Sequence, residues 1–312
     1  MNLEIIKLKL IILKKKMSNL FSVPYNIYLE KYGEVPIVLD FDETIDLIIT
    51  KEKSISRFGD GELGLIECDN NPGFQKIDFE MSKRLKKSLK NTSGKNMLVC
   101  IPSIFEDRQL EFRSEKSKNY WKNYLKYNRH LWYKHLDFNY VYGASTFTRH
   151  YIASEKKDEI TMKNYFDKIK LIWKDKKILV VEGKMTRMGV GNDLFDNARC
   201  VKRILGPAEN AFSKYEQLYL SITGFLENNE GYIVILALGP TASILSQDIS
   251  ANGFRALDMG HIDIEYEWYL NKAFEKSIVP SKYVNEHHDG ILTTENDFFT
   301  DTSYESQIVE II

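Results

Sequence analysis

Cysteine is scarce: Cys68, Cys100 and Cys200 are odd in number, far apart and never in a Cys-x-x-Cys pair, which excludes a disulfide framework or zinc knuckle and fits a reducing cytoplasm. Only 7 prolines and 17 glycines are spread through 312 residues, so collagen-like, repeat and linker-rich architectures are excluded. Charge of one sign is missing too. The 43 Lys and Arg nearly cancel the 44 Asp and Glu, leaving −1, which makes a polyanion such as nucleic acid a poor partner. Long hydrophobic runs are absent as well. The basic leader Met1 to Lys16 is interrupted by Lys7 and Lys9, is too short to span a bilayer, and lacks a small-residue cleavage site. Residues 1–20 are expected to be a frayed leader with at most peripheral membrane contact, and Met17 is an alternative start.

What is present is core-forming. Apolar residues make up 43% and aromatics 12%, enough for one large α/β domain or two smaller ones. Short β-branched runs alternate with segments of helical period, the pattern of a mostly parallel, Rossmann-like sheet flanked by helices. Strands are expected at Ser54–Phe58, Met97–Ile101, Tyr140–Tyr142, Ile178–Val181, Val201–Leu205, Tyr232–Leu238 and Arg255–Leu257. Two of these, ILVV and YIVILAL, are continuously apolar, as strands covered on both faces must be. No linker divides the chain, so residues 21–312 are taken as one domain. It carries a helical insertion at about 105–135 and an irregular tail from about 279. Within the insertion Trp121, Tyr124, Leu125, Asn128 and Trp132 share one helical stripe, a packing face rather than a single-strand binding surface.

Six segments carry candidate chemistry. Asp40-Phe41-Asp42-Glu43-Thr44 matches the Asp-x-Asp-x-Thr motif of haloacid-dehalogenase-like phosphatases, with Asp40 as nucleophile and Asp42 as acid. The same residues also read as a capping box, Asp40 with Glu43, before a helix containing Ile45, Ile48 and Ile49. Gly59-Asp60-Gly61-Glu62 follows a strand. In an extended or tightly turned backbone both carboxylates face one cation, a hard oxygen pair suited to Mg²⁺ or Mn²⁺, though a surface turn would look the same. The loop after Val181, with Lys184, Arg187, Gly191, Asn192 and Asp193, and the Gly239-Pro240-Thr241 turn suit phosphate binding at helix starts. Tyr142 to Arg149 ends another strand and brings hydroxyls and Arg149 to the same rim. Finally, Asp258 to Trp268 gathers four carboxylates and His261 at a strand end, with Asp263 or Glu265 as a general base.

In order along the chain, Ser56-Arg57-Phe58-Gly59-Asp60-Gly61-Glu62, Thr186-Arg187 to Leu194, Gly206-Pro207-Ala208-Glu209-Asn210-Ala211-Phe212, Gly239-Pro240-Thr241-Ala242 and Gly260-His261 to Trp268 resemble one family. It is the bacterial GT-D type glycosyltransferases, first described as a domain of unknown function and found in adhesin and surface-polysaccharide glycosylation clusters. The resemblance runs from about Glu43 to Glu286. It implies transfer of a hexose, commonly glucose, from a UDP-sugar to a glycan or glycoprotein, with Mn²⁺ or Mg²⁺ on the Asp-x-Glu motif at Asp60 and Glu62. It also implies a nucleotide role for Gly191, Asn192 and Asp193 and a catalytic role for the Gly260–Glu265 segment, including His261, Asp263 and Glu265. Arg57, Arg149 and Arg187 are expected to stabilise the leaving diphosphate. The alternatives are the Asp40/Asp42 phosphatase and a noncatalytic nucleotide-binding scaffold of glycan assembly, and a homo-oligomer is compatible with the aromatic-rich helices.

Overall fold

The computed structural model describes residues 21–68, 73–284 and 302–312. The leader at 1–20 and most of the expected tail lie outside the described residues. Every expected strand is present. The strands are β1 (Ile37–Val38), β2 (Ser54–Arg57), β3 (Met97–Ile101), β4 (Val141–Ala144), β5 (Lys177–Gly183), β6 (Cys200–Gly206), β7 (Tyr232–Ala237), β8 (Ala256–Asp258) and β9 (Ile308–Ile311). They form one sheet in the order β1-β4-β3-β2-β8-β7-β5-β6-β9, with every neighbouring pair parallel.

Residues 21–32 form α1. Among the described residues ten further helices follow: α2 (Phe41–Thr50), α3 (Asp60–Ile66), α4 (Phe79–Leu89), α5 (Glu115–Tyr133), α6 (His150–Ala153), α7 (Glu159–Lys170), α8 (Tyr215–Asn228), α9 (Pro240–Ala251), α10 (Ile262–Leu270) and α11 (Thr302–Gln307). Alternation along the central strands divides the core into two layers. Leu179, Val181, Val234 and Leu236 face helices α3, α4, α5, α8 and α9, while Ile178, Val180, Ile233 and Ile235 face α2, α7 and α10. The segment expected as a helical insertion holds α5, which crosses over between the parallel neighbours β3 and β4 and buries Trp121, Leu125 and Trp132.

The stretch expected to be an irregular tail ends differently. Its last residues form α11 and β9, and β9 extends the sheet beside β6, where Ile308, Glu310 and Ile311 pair with Arg203, Ile204 and Leu205. The strand is mostly exposed at the sheet edge and shows no alternation of burial, so backbone pairing rather than patterning makes it. Among the described residues no helix is long and apolar enough to cross a membrane.

The seam between β2 and β8 positions the site. Consecutive strands β2, β3 and β4 advance to one side of it, whereas β8 arrives from the other, so the strand order diverges there. Open α/β sheets bind ligands outside the carboxyl ends of the strands at such a divergence. A single register pair, Ile55 with Leu257, joins the two strands. Side chains of α9 supply the rest: Ser243 Oγ donates to the Arg57 carbonyl at 2.7 Å, and Ser56 Oγ donates to the Ser243 carbonyl at 2.7 Å.

Candidate active site

The carboxyl ends of β2, β4, β5, β6, β7 and β8 open onto one cleft of about 750 Å³, lined at those ends by Arg57, Ser145, Gly183, Pro207, Ala237 and Asp258. At its floor Arg57 closes the seam. Its Nη2 meets Asp258 Oδ1 at 2.9 Å, Nε donates to the Asp258 carbonyl at 2.7 Å, and Nη1 donates to Thr148 Oγ1 at 2.7 Å and the Ser145 carbonyl at 3.3 Å. The guanidinium lies flat against Gly260, whose φ of +50° and lack of a side chain admit it; a Cβ there would stand 1.9 Å from Nη2.

Asp60 and Glu62 occupy the first turn of α3 rather than an extended turn, because Glu62 Oε2 reaches back to accept the Gly59 N–H at 2.8 Å and so starts the helix. Both carboxylates line the cleft. The Tyr120 hydroxyl of α5 donates to Asp60 Oδ2. Burial, and then the Asp258 carboxylate, push the Glu62 carboxyl up to about 7, against the backbone N–H groups and Arg57, which lower it. No group of three or more His, Cys, Asp or Glu forms a metal cage among the described residues. A hard divalent ion held by one or two carboxylates, with phosphate oxygens and water filling its shell, requires no such cage. The crowding of negative charge at Glu62 is what a cation relieves, so the donor set fits one.

His261, the residue before α10, faces the cleft, and Arg149 Nη2 lies 3.0 Å from its Nδ1. A guanidinium only donates, so Nδ1 accepts and the neutral ring carries its hydrogen on Nε2.

The sequence matches the family described as Glycosyltransferase GT-D fold over residues 55–287. The chain belongs to this GT-D family. It is similar to the probable glycosyl transferase Gly of Streptococcus gordonii, 38% identical over 280 residues that cover 87% of this chain and 38% of that protein. The glycosyltransferase GlyD of Streptococcus pneumoniae serotype 4 is 36% identical over 282 residues, 90% of this chain and 33% of that protein. The chain thus spans about a third of the length of these curated relatives. A solved structure described as a new glycosyltransferase from Streptococcus sanguinis superposes with a TM-score of 0.79 at 36% identity, covering 89% of this chain and all of that one. Another, described as having a distinct glycosyltransferase fold, gives 0.80 at 31% identity over 92% of this chain and 99% of that one.

Within this GT-D chain the expected site residues divide. Arg57, Asp60, Glu62, Arg149, His261 and Asp263 converge on the cleft. Arg187, Gly191, Asn192, Asp193, Thr241 and Glu265 are not among its lining residues. The guanidinium of Arg187 stacks 4.8 Å from the Tyr304 ring of α11. Asp193 takes Lys170 Nζ at 2.5 Å and the Tyr266 hydroxyl at 2.6 Å, and Thr241 is buried in the first turn of α9. Gly191 sits exposed on its loop with φ +79°, and Asn192 braces Asp263 and Glu267 at 2.9 and 2.7 Å. The base expected at Asp263 lies on the cleft within a cluster of donors. Its Oδ1 accepts from the Gly189 N–H at 2.8 Å, Asn192 at 2.9 Å and Lys282 Nζ at 3.0 Å, and its Oδ2 takes Lys282 Nζ at 2.8 Å. Glu265, equally buried, accepts the Ile152 N–H at 2.9 Å through Oε2. Asp40 is a helix cap: it accepts the Glu43 N–H at 2.8 Å while Glu43 returns to the Asp40 N–H at 2.9 Å, and neither Asp40 nor Asp42 reaches the cleft.

Proposed function

We propose that this chain transfers a hexose, most simply glucose, from a UDP-sugar to a glycan or glycoprotein acceptor in the cytoplasm, using Mn²⁺ or Mg²⁺ held by Asp60 and Glu62. The observation that carries the reading is the cleft itself, where two carboxylates on the first turn of α3 share one wall system with Arg149 and His261, on a chain of the GT-D family. Three free cysteines, Cys68, Cys100 and Cys200, agree with a reducing compartment.

When bound, the cation acts as a Lewis acid toward the leaving diphosphate. The chain's own residues do the positioning. Tyr120 orients Asp60, and the Glu62 cap fixes the first turn of α3, so the carboxylates are placed before substrate arrives. Arg57 spends four of its five guanidinium N–H donors on Asp258, Thr148 and Ser145 and so holds the two halves of the sheet in register at the cleft floor. His261, with hydrogen on Nε2, offers a donor to a sugar hydroxyl or phosphate oxygen.

Trp121 lines the cleft, so its fluorescence reports binding. UDP is expected to shift emission and melting temperature of the wild type with Mn²⁺ present, to do so weakly without it, and to lose the Mn²⁺-dependent part in Asp60→Asn. The absence of any nucleotide-dependent shift removes this reading.

A further inference from the structure

The cleft holds an arginine that neither the sequence pattern nor the reading above uses. Arg113 is 2% exposed and lines the cleft beside Ser114, Lys116 and Ser117. Its Nη2 donates to Thr146 Oγ1 at 2.9 Å; Nε has no acceptor, and no carboxylate pairs with the guanidinium among the described residues. Desolvation alone moves its pKa, down to about 10. A buried cation without a counter-ion is costly to fold around, and such groups are retained where a ligand completes them.

The residue's surroundings supply a second reason. Arg113 immediately precedes α5, a 19-residue helix whose N-terminus opens into the same cleft, with Ser114 as its cap. Free N–H groups and the helix dipole favour an anion there. The one acidic residue of that turn, Glu115, is engaged by Lys118 at 2.9 Å. The end is also rigid: Arg113 bridges to Ser154, and the Ser114 N–H donates to the Ala153 carbonyl at 2.8 Å. By contrast, four of the five guanidinium N–H donors of Arg57 already engage Asp258, Thr148 and Ser145.

We propose that Arg113, the N-terminus of α5 and Lys116 form a phosphate-binding subsite that takes the diphosphate of the donor. The location rests on the donor reading above. The guanidinium lies 5.9 Å from the Trp121 ring, that ring lies 5.1 Å from Tyr120, and Tyr120 holds Asp60, so the subsite and the carboxylate pair stand on one continuous wall. A diphosphate placed along it meets fixed donors at one end and the carboxylate-held cation at the other.

The test compares dissociation constants for UDP with Mn²⁺, for inorganic pyrophosphate and for uridine in wild type, Arg113→Gln and Lys116→Ala. Arg113→Gln is expected to weaken UDP and pyrophosphate about tenfold or more, with uridine unchanged. Because Arg113 is buried, Lys116→Ala, at an exposed residue, carries the same test on an undisturbed fold, with a loss of roughly threefold. UDP and pyrophosphate within twofold of wild type in both variants overturns the subsite, as does an equal loss of uridine. Wild type that binds pyrophosphate in an Arg113-dependent way but not UDP keeps the subsite and removes the UDP donor. Wild type that binds UDP with no effect of either substitution does the reverse.

Discussion

Gly260→Ala probes the floor of the cleft with a single methyl group. The new Cβ would stand 1.9 Å from Arg57 Nη2 and 3.0 Å from Cζ, in a residue whose φ is +50°. Left-handed backbone in a residue with a side chain costs about 1 kcal/mol. Arg57 cannot yield cheaply, because its guanidinium is fixed by Asp258, Thr148 and the Ser145 carbonyl. Moving it forfeits charge-assisted hydrogen bonds worth about 2–3 kcal/mol in sum. The expected loss is thus about 3–4 kcal/mol, large against a total stability of about 5–15 kcal/mol, and lowers the melting temperature by roughly 6–12 °C. Urea denaturation of Gly260→Ala, Arg57→Ala and the double variant isolates the contact. In the Arg57→Ala background the alanine should cost only its backbone strain, leaving a coupling of about 2 kcal/mol. Additive effects of the two substitutions would refute the argument that Gly260 exists to seat Arg57.

Two further outcomes follow from buried charge. Lys282 lies between Asp263 and Glu267 at 2.8 and 2.7 Å with its side chain 2% exposed, so Lys282→Met strands two carboxylates and should cost about 3 kcal/mol in urea denaturation; a loss under about 1 kcal/mol contradicts the bracing role. His150 is pushed down to about 4 by burial and then by the Arg113 charge, with Asp42 opposing. The unfolded chain, titrating near 6.5, therefore binds the proton that the folded chain refuses, and this contribution to stability is fully present above about 6.5 and lost as pH falls toward about 4. His150→Phe should flatten stability against pH across that window, and superimposable profiles would sink the assignment.

The central strands were legible because strands covered on both faces are written as unbroken apolar runs, as in Ile178–Val181 and Tyr232–Leu238. The edge strands β1 and β9 were not, since one has only two residues and the other is mostly exposed, so neither carries a buried pattern. Strand-end chemistry was legible at Arg57, Asp60, Glu62, Arg149 and His261, where the motif itself sits at the cleft. Gly191 to Asp193, by contrast, do not line the cleft. Glycine and polar residues after β5 look like a phosphate loop, but Glu182 accepts the Met188 N–H at 2.7 Å and Asp263 the Gly189 N–H, which tie that loop down beside the cleft instead of into it. The pairing of Asp263 was hidden for a related reason: its partner Lys282 lies 19 positions away, past a helix, and no local pattern announces the pair. Arg113 was hidden in the opposite sense. Among the basic residues of a surface-like helix start it resembles its neighbours, and only burial separates it from Lys116 and Lys118.

The seam at β2 also sets a schedule for biosynthesis. Although β2 lies in the middle of the finished sheet, its β8 neighbour, carrying Asp258, comes 201 residues after Arg57. At the usual pace of translation, about 5–20 residues per second, β2 waits roughly 10–40 s with one edge unpaired. That edge belongs to a strand whose first three residues are fully enclosed in the finished protein. The cleft therefore closes late, and until it does the nascent chain presents an apolar strand edge to the ribosome's surroundings, a natural point of engagement for chaperones.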